Sequence, residues 1–128
     1  MNTPHLRPAH YDTTSLYEPW KVIDAWDADF YVGNALKYIQ RAGRKSGQPA
    51  ELDWQKVVTY LHAALERTPE GDGRRCNHAL PLEYIPLKVA GAWGRDLQLL
   101  SSLYDSCRSY NDKRRLCLFT ALSRIEAL

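Results

Sequence analysis

One stretch gathers residues able to hold a phosphorylated ligand: Gly33-Asn34-Ala35-Leu36-Lys37-Tyr38-Ile39-Gln40-Arg41-Ala42-Gly43-Arg44-Lys45. At about 100° per residue, Val32, Ala35, Leu36, Ile39 and Ala42 fall on one apolar stripe. Asn34, Lys37, Tyr38 and Arg41 stand at i, i+3, i+4 and i+7 and share the opposite face. Gly43 follows the last periodic residue, where a left-handed stop belongs. Arg44 and Lys45 carry the cationic face past the helix end. A front of one amide, one phenol and several cations suits an anion. The same spacing also fits the solvated outer face of an ordinary amphipathic helix.

Other chemistries find less support. No Gly-x-x-x-x-Gly-Lys-Ser/Thr occurs, which excludes a P-loop kinase. Phosphoryl transfer draws on magnesium, and magnesium wants carboxylates. Asp24, Asp27, Asp29 and Asp53 are available, but each reads as a helix cap or a solvated residue. No Glu-x-x-Glu pair occurs, which argues against a helical nucleotide pyrophosphohydrolase. His62 reads as a half-buried helix residue, and Cys76-Asn77-His78 lacks a second ligand pair, so no metal site is expected. The three cysteines show neither metal spacing nor an even count. Cys107 and Cys117 lie in apolar helical patterns and read as buried free thiols, which fits a reducing cytoplasm.

A chain of 128 residues with a hydrophobic fraction of 45% has the length and composition of one domain. The net charge of +2 argues against a nucleic-acid binder in the absence of a basic stripe. Arg74-Arg75 and Lys113-Arg114-Arg115 read as solubilising patches. Met1 to His10 holds no apolar run, so no signal peptide is expected, and no segment has the length of a membrane span.

The elements that must position these residues follow from periodicity. Residues 1–16 form an irregular arm in which His10-Tyr11 is the one chemical feature. Helices are expected over 19–26, with Pro19 at its first turn, over 30–42 after the Asp27-Ala28-Asp29 cap, and over 51–67. The third helix carries Leu52, Val57, Val58, Leu61, Ala64 and Leu65 as its apolar set. Residues 68–82 are turn-rich and read as a linker. Helices follow over 83–93, 96–109 and 112–127, the last capped by Asn111.

Residues 17–30 line up with 84–97 as Tyr-x-Pro-x-Lys-Val-x-x-Ala-Trp-x-x-Asp-apolar. At the same offset Leu36 meets Leu103 and Arg41 meets Arg108, and after a shorter gap 53–60 aligns loosely with 112–119. The expected fold is all-α, with six helices forming two degenerate three-helix repeats, 17–67 and 83–128, packed in one domain. Opposite Asn34, Lys37 and Tyr38 stand Ser101, Tyr104 and Asp105, so the second unit would not bind an anion in the same way. Trp26 and Trp93 are equivalent and read as core; Trp20 and Trp54 have no tryptophan opposite them in the repeat and are candidates for an exposed interface.

The first half resembles a family of small helical proteins common in tailed phages and often labelled nucleotide-kinase-like. The resemblance rests on His10-Tyr11, on Tyr17 to Trp26, on Gly33 to Lys45 (Gly-Asn-Ala-x-Lys-Tyr-x-x-Arg-Ala-Gly-x-Lys), and more loosely on Asp53 to Leu61. It covers about 10–66. One member, a coliphage protein, looks like a nucleoside monophosphate kinase without a P-loop. The resemblance implies that Lys37, Arg41, Arg44 and Lys45 neutralise phosphates. It implies that Asn34 meets a base or ribose and that Tyr38 offers a stacking face or a phenolic donor. Lys56 and Tyr60, four apart on the third helix, would close the site, with His10 and Lys21 completing the set.

The leading expectation is a protein that binds a nucleotide or nucleoside phosphate, with ATP and magnesium entering if it is a kinase. The alternative is a non-catalytic phage counter-defence module of the anti-CRISPR kind, which binds a host defence complex, or another protein-binding inhibitor built on the same scaffold. A homo-oligomer is left open.

Overall fold

The computed structural model describes residues 15–128, so His10 and all but the end of the expected arm lie outside the described residues. Those residues form six α-helices: α1 (Pro19–Trp26), α2 (Phe30–Arg41), α3 (Ala50–Glu66), α4 (Pro86–Trp93), α5 (Leu97–Cys107) and α6 (Asn111–Ala127). A 3₁₀ turn, Leu82–Tyr84, precedes α4, so that helix begins at Pro86 rather than 83. No helix among the described residues is long and apolar enough to cross a membrane.

The repeat is visible in the local structure. Both α1 and α4 open on a proline, and both end in a left-handed residue, Asp27 or Gly94. Asp29 caps α2 by accepting from the Tyr31 and Val32 amides, and Asp96 caps α5 by accepting from Leu99. In each unit the second and third helices pack on one another, and α3 meets α6 between the units.

Two tryptophans lock the units together. Trp26 is fully buried and its indole N–H donates to Tyr84 O at 2.8 Å; Trp93 donates to Tyr17 O at 2.7 Å. The exchange is reciprocal between equivalent residues, as a two-fold relation requires. The Tyr17 and Tyr84 rings meet edge to face, 6.1 Å apart. The apolar stripe of α2 faces one core with Val57, Leu61, Val89, Leu99, Leu103 and Leu118.

Arginines satisfy the open helix ends, whose last carbonyls lack partners within the helix. Arg95 donates to Ile39 O and Ala42 O at the end of α2, and burial lowers its pKa from the usual arginine value, helped by nearby Arg44. Arg115 donates to Leu65 O and Thr68 O, and Arg114 reaches Ser106 O, Thr68 and Asp29. The second and third basic clusters are therefore not simply solubilising: Arg114 and Arg115 close helix ends, and Arg75 pairs with Asp105 at 3.1 Å.

Further expectations change for equally local reasons. Asn111 does not cap α6; Tyr110 holds the cap position, while Asn111 turns left-handed and its amide donates to Asp72 O. The segment after α3 is pinned rather than loose. Gly71 exchanges hydrogen bonds with Asp112, Tyr110 N donates to Arg74 O, and Cys76 N donates to Arg108 O. Gly73 lies so close to α6 that a Cβ would stand 2.7 Å from Lys113 N. Leu52 and His62 are exposed, while Val57, Leu61, Ala64 and Leu65 are buried as expected. The three thiols are free and half-buried, and burial pushes that of Cys107 up to about 12.

Trp93→Phe removes a buried donor and leaves Tyr17 O without it. It is expected to cost about 1–3 kcal/mol, read as a lower urea midpoint. Arg124 grips Asp96 with two hydrogen bonds, 2.9 and 2.7 Å, and holds its carboxyl below the ordinary 3.8. A depressed folded pKa gives stability that is complete above the ordinary carboxylate range and is lost as pH falls through the folded value. The stability gap between the native chain and Asp96→Asn should therefore be full near neutral pH and close below about 4, as followed by denaturation at a series of pH values.

Candidate functional site

Five of the expected residues converge where α2 lies against α3. Tyr38 is the centre. Its ring stacks with Tyr60, centroids 6.0 Å apart at 12°. Lys56 Nζ stands 4.9 Å from the Tyr38 centroid, Lys37 Nζ 5.5 Å, and the Arg41 guanidinium 5.5 Å. The local cause is simple. Lys37, Tyr38 and Arg41 share the outer face of α2, and Lys56 and Tyr60 are one turn apart on α3. Each cation gains from the ring quadrupole, by about 0.5–1 kcal/mol when exposed.

Beneath this cluster lies a carboxylate that the sequence suggests as a helix cap or a solvated residue. Asp53 is 0% exposed. Its Oδ1 accepts from Gln48 Nε2 at 3.1 Å and lies 3.6 Å from Arg41 Nε; Gln48 Oε1 accepts from Arg41 Nη2 at 3.1 Å. Asp53 Oδ2 and Arg41 Nε have no hydrogen-bond partner among the described residues. One buried acid thus offsets one cation and fixes its position. Lys37 and Lys56 are exposed and form no ion pair among the described residues, so the face stays positive. The signal for Asp53 was present: it stands on the register of Val57, Leu61 and Ala64.

The other expected residues are placed elsewhere or otherwise engaged. Arg44 donates to Gln40 O and Trp93 O, bridging the ends of α2 and α4 rather than facing a ligand. Lys45 is exposed in the loop after Gly43, which is left-handed as expected. Lys21 donates to Ser15 O at 2.7 Å and lies 5.5 Å from the Trp20 ring, on α1. Asn34 donates to Phe30 O at 2.8 Å, within its own helix. With Lys37, Phe30 and Gly33 it lines a shallow depression of about 210 Å³ beside the cluster.

Besides Asp53 and Gln48, sequence reasoning leaves out Phe30, Tyr31 and Arg67. The aromatic row continues from Tyr60 to Phe30 at 6.1 Å and from Phe30 to Tyr31 at 5.3 Å, and the Arg67 guanidinium lies 4.6 Å from the Tyr31 centroid. Phe30 is 66% exposed. It stands four residues before Asn34, off the buried stripe, and so belongs to the same face.

In the second unit the equivalent face is closed from within. Asp105, opposite Tyr38, is paired with Arg75 from the segment that follows α3. Tyr104, opposite Lys37, turns its edge to Trp26 at 5.3 Å, and buried Arg108 covers it at 5.2 Å.

Residues 6–62 match a family described as protein of unknown function, DUF3310. The match takes in α1, α2 and most of α3, and so the whole Tyr38 cluster; α4 to α6 lie outside it. No curated protein and no solved structure matches the chain.

Asp53→Ala should lower stability by roughly 2–4 kcal/mol, because it strips Arg41 of its charge partner and opens a cavity; the Arg41 side chain is 25% exposed, which keeps the cost below that of a fully buried pair. Asp53→Asn, which keeps the volume, should cost less. Urea denaturation of both variants separates the two contributions.

Proposed function

We propose that the α2/α3 face of the first unit binds a nucleotide or nucleoside phosphate. The observation that supports this reading best is the ring of three cations around Tyr38, two of them in no ion pair among the described residues, beside exposed aromatic surface. Phosphate is stabilised where cations converge without a compensating acid, and a base is held by an aromatic face. Lys37 and Lys56 would take the phosphate. Arg41, steered by Gln48 and Asp53, would lend its charge beside them, and Phe30 and Asn34 would meet the base.

The reading stops at binding. A kinase would add ATP and magnesium, and the acids do not fit a metal site. Asp29 caps α2 and pairs with Arg114, and Asp53 is fully buried behind Arg41. No group of three or more His, Cys, Asp or Glu converges among the described residues.

One observation favours the protein-binding alternative of the counter-defence kind. Trp20 and Leu87 hold equivalent positions, one turn beyond the Tyr17–Tyr84 pair, and are 54% and 60% exposed. A stoichiometric protein partner recovered from host lysate, lost in Trp20→Ala and indifferent to nucleotide, would favour it.

Calorimetric titration with nucleoside mono- and triphosphates checks the main reading. Lys37→Ala and Lys56→Ala should each weaken binding by about 1.5–3 kcal/mol, as loss of a charge-assisted contact does. The absence of heat with every nucleotide would overturn it.

A further inference from the structure

The aromatic row is longer than one nucleotide uses. From Tyr38 it passes to Tyr60, Phe30 and Tyr31, with successive centroids 6.0, 6.1 and 5.3 Å apart. It has cations at both ends: Lys37, Lys56 and Arg41 around Tyr38, and Arg67 over Tyr31. Lys37 lies between two surfaces, lining the depression beside Phe30 while standing 5.5 Å from the Tyr38 ring. An anion seated on Lys37 therefore has aromatic surface on either side. Asp29, at the rim of the depression, is neutralised by Arg114 and by the α2 amides it caps.

Aromatic rings interleaved with cations along a groove are how proteins hold single strands: the rings take base faces, and the cations follow the phosphates. A duplex hides its base faces and would leave Phe30 unused. Building on the nucleotide reading of this face, we propose that its ligand is a single-stranded nucleic acid segment of two or more nucleotides, with one phosphodiester over Lys37, one base against Phe30 in the depression, and a further phosphate reaching Arg67. The net charge of +2 disguises this stripe, because acids elsewhere on the chain balance it.

The test is fluorescence anisotropy with labelled oligothymidylates of two, four and eight nucleotides, competed by thymidine monophosphate and by a blunt duplex. The tetranucleotide should bind at least tenfold more tightly than the mononucleotide, and its affinity should fall more steeply with salt, since each neutralised phosphate of a single strand adds about 0.7 to the slope. Arg67→Ala, at an exposed position and checked for native helicity by circular dichroism, should remove much of that gain and leave mononucleotide affinity within about twofold, whereas Phe30→Ala should weaken both ligands. Equal affinity for mono- and tetranucleotide, or for duplex and single strand, would overturn this inference while leaving the nucleotide reading intact. Binding of neither would overturn both.

Discussion

Two indole hydrogen bonds, exchanged across the middle of the molecule, hold the architecture in register. Trp26 reaches from the first unit to Tyr84 O, and Trp93 reaches back to Tyr17 O. A buried indole N–H must find an acceptor, and the Tyr17 and Tyr84 carbonyls, in the turns just before α1 and α4, supply it. One sequence pattern, used twice, thus supplies both the donor and the acceptor of its own symmetric contact. Arg44 and Arg95 reinforce it by tying the end of α2 to the other unit. The position of α2, and hence of its outer face, follows from these contacts.

On that shared frame the two outer faces have diverged. In the second unit a carboxylate and a returning arginine neutralise one another, and Tyr104 turns inward onto Trp26. In the first unit the buried acid, Asp53, sits under the face instead of on it. It steadies Arg41 without discharging Lys37 or Lys56. The difference between a closed face and an open one comes down to where a single acid stands relative to the cations. This accounts for the one-sidedness of the proposed site without any difference in fold.

Much of the framework was legible in the chain. Helix periodicity, the Asp29 cap, Gly43 and the Tyr-x-Pro…Trp repeat are local signals, and the structure follows them. So is the pairing of Lys56 with Tyr60, which depends only on a spacing of four. What was hidden depends on partners distant in sequence. Arg44 has the same spacing as a ligand-facing cation, but its guanidinium lies against Trp93 O, 49 residues away. Arg114 and Arg115 look like surface charge until α3 and α5 end beside them. Asn111 has the composition of a cap, yet the neighbouring 71–76 segment bends it into a left-handed turn. Phe30 and Asp53 were readable from register alone, and composition drew attention away from both.

The central claim is that only the first unit presents an anion-holding face. The most direct measurement is a two-dimensional NMR titration of the isotope-labelled chain with a nucleoside diphosphate. The account predicts saturable shifts in the amides of residues 30–41 and 53–60, with residues 97–108 unmoved. Shifts centred on α5, or none anywhere at millimolar nucleotide, would contradict it.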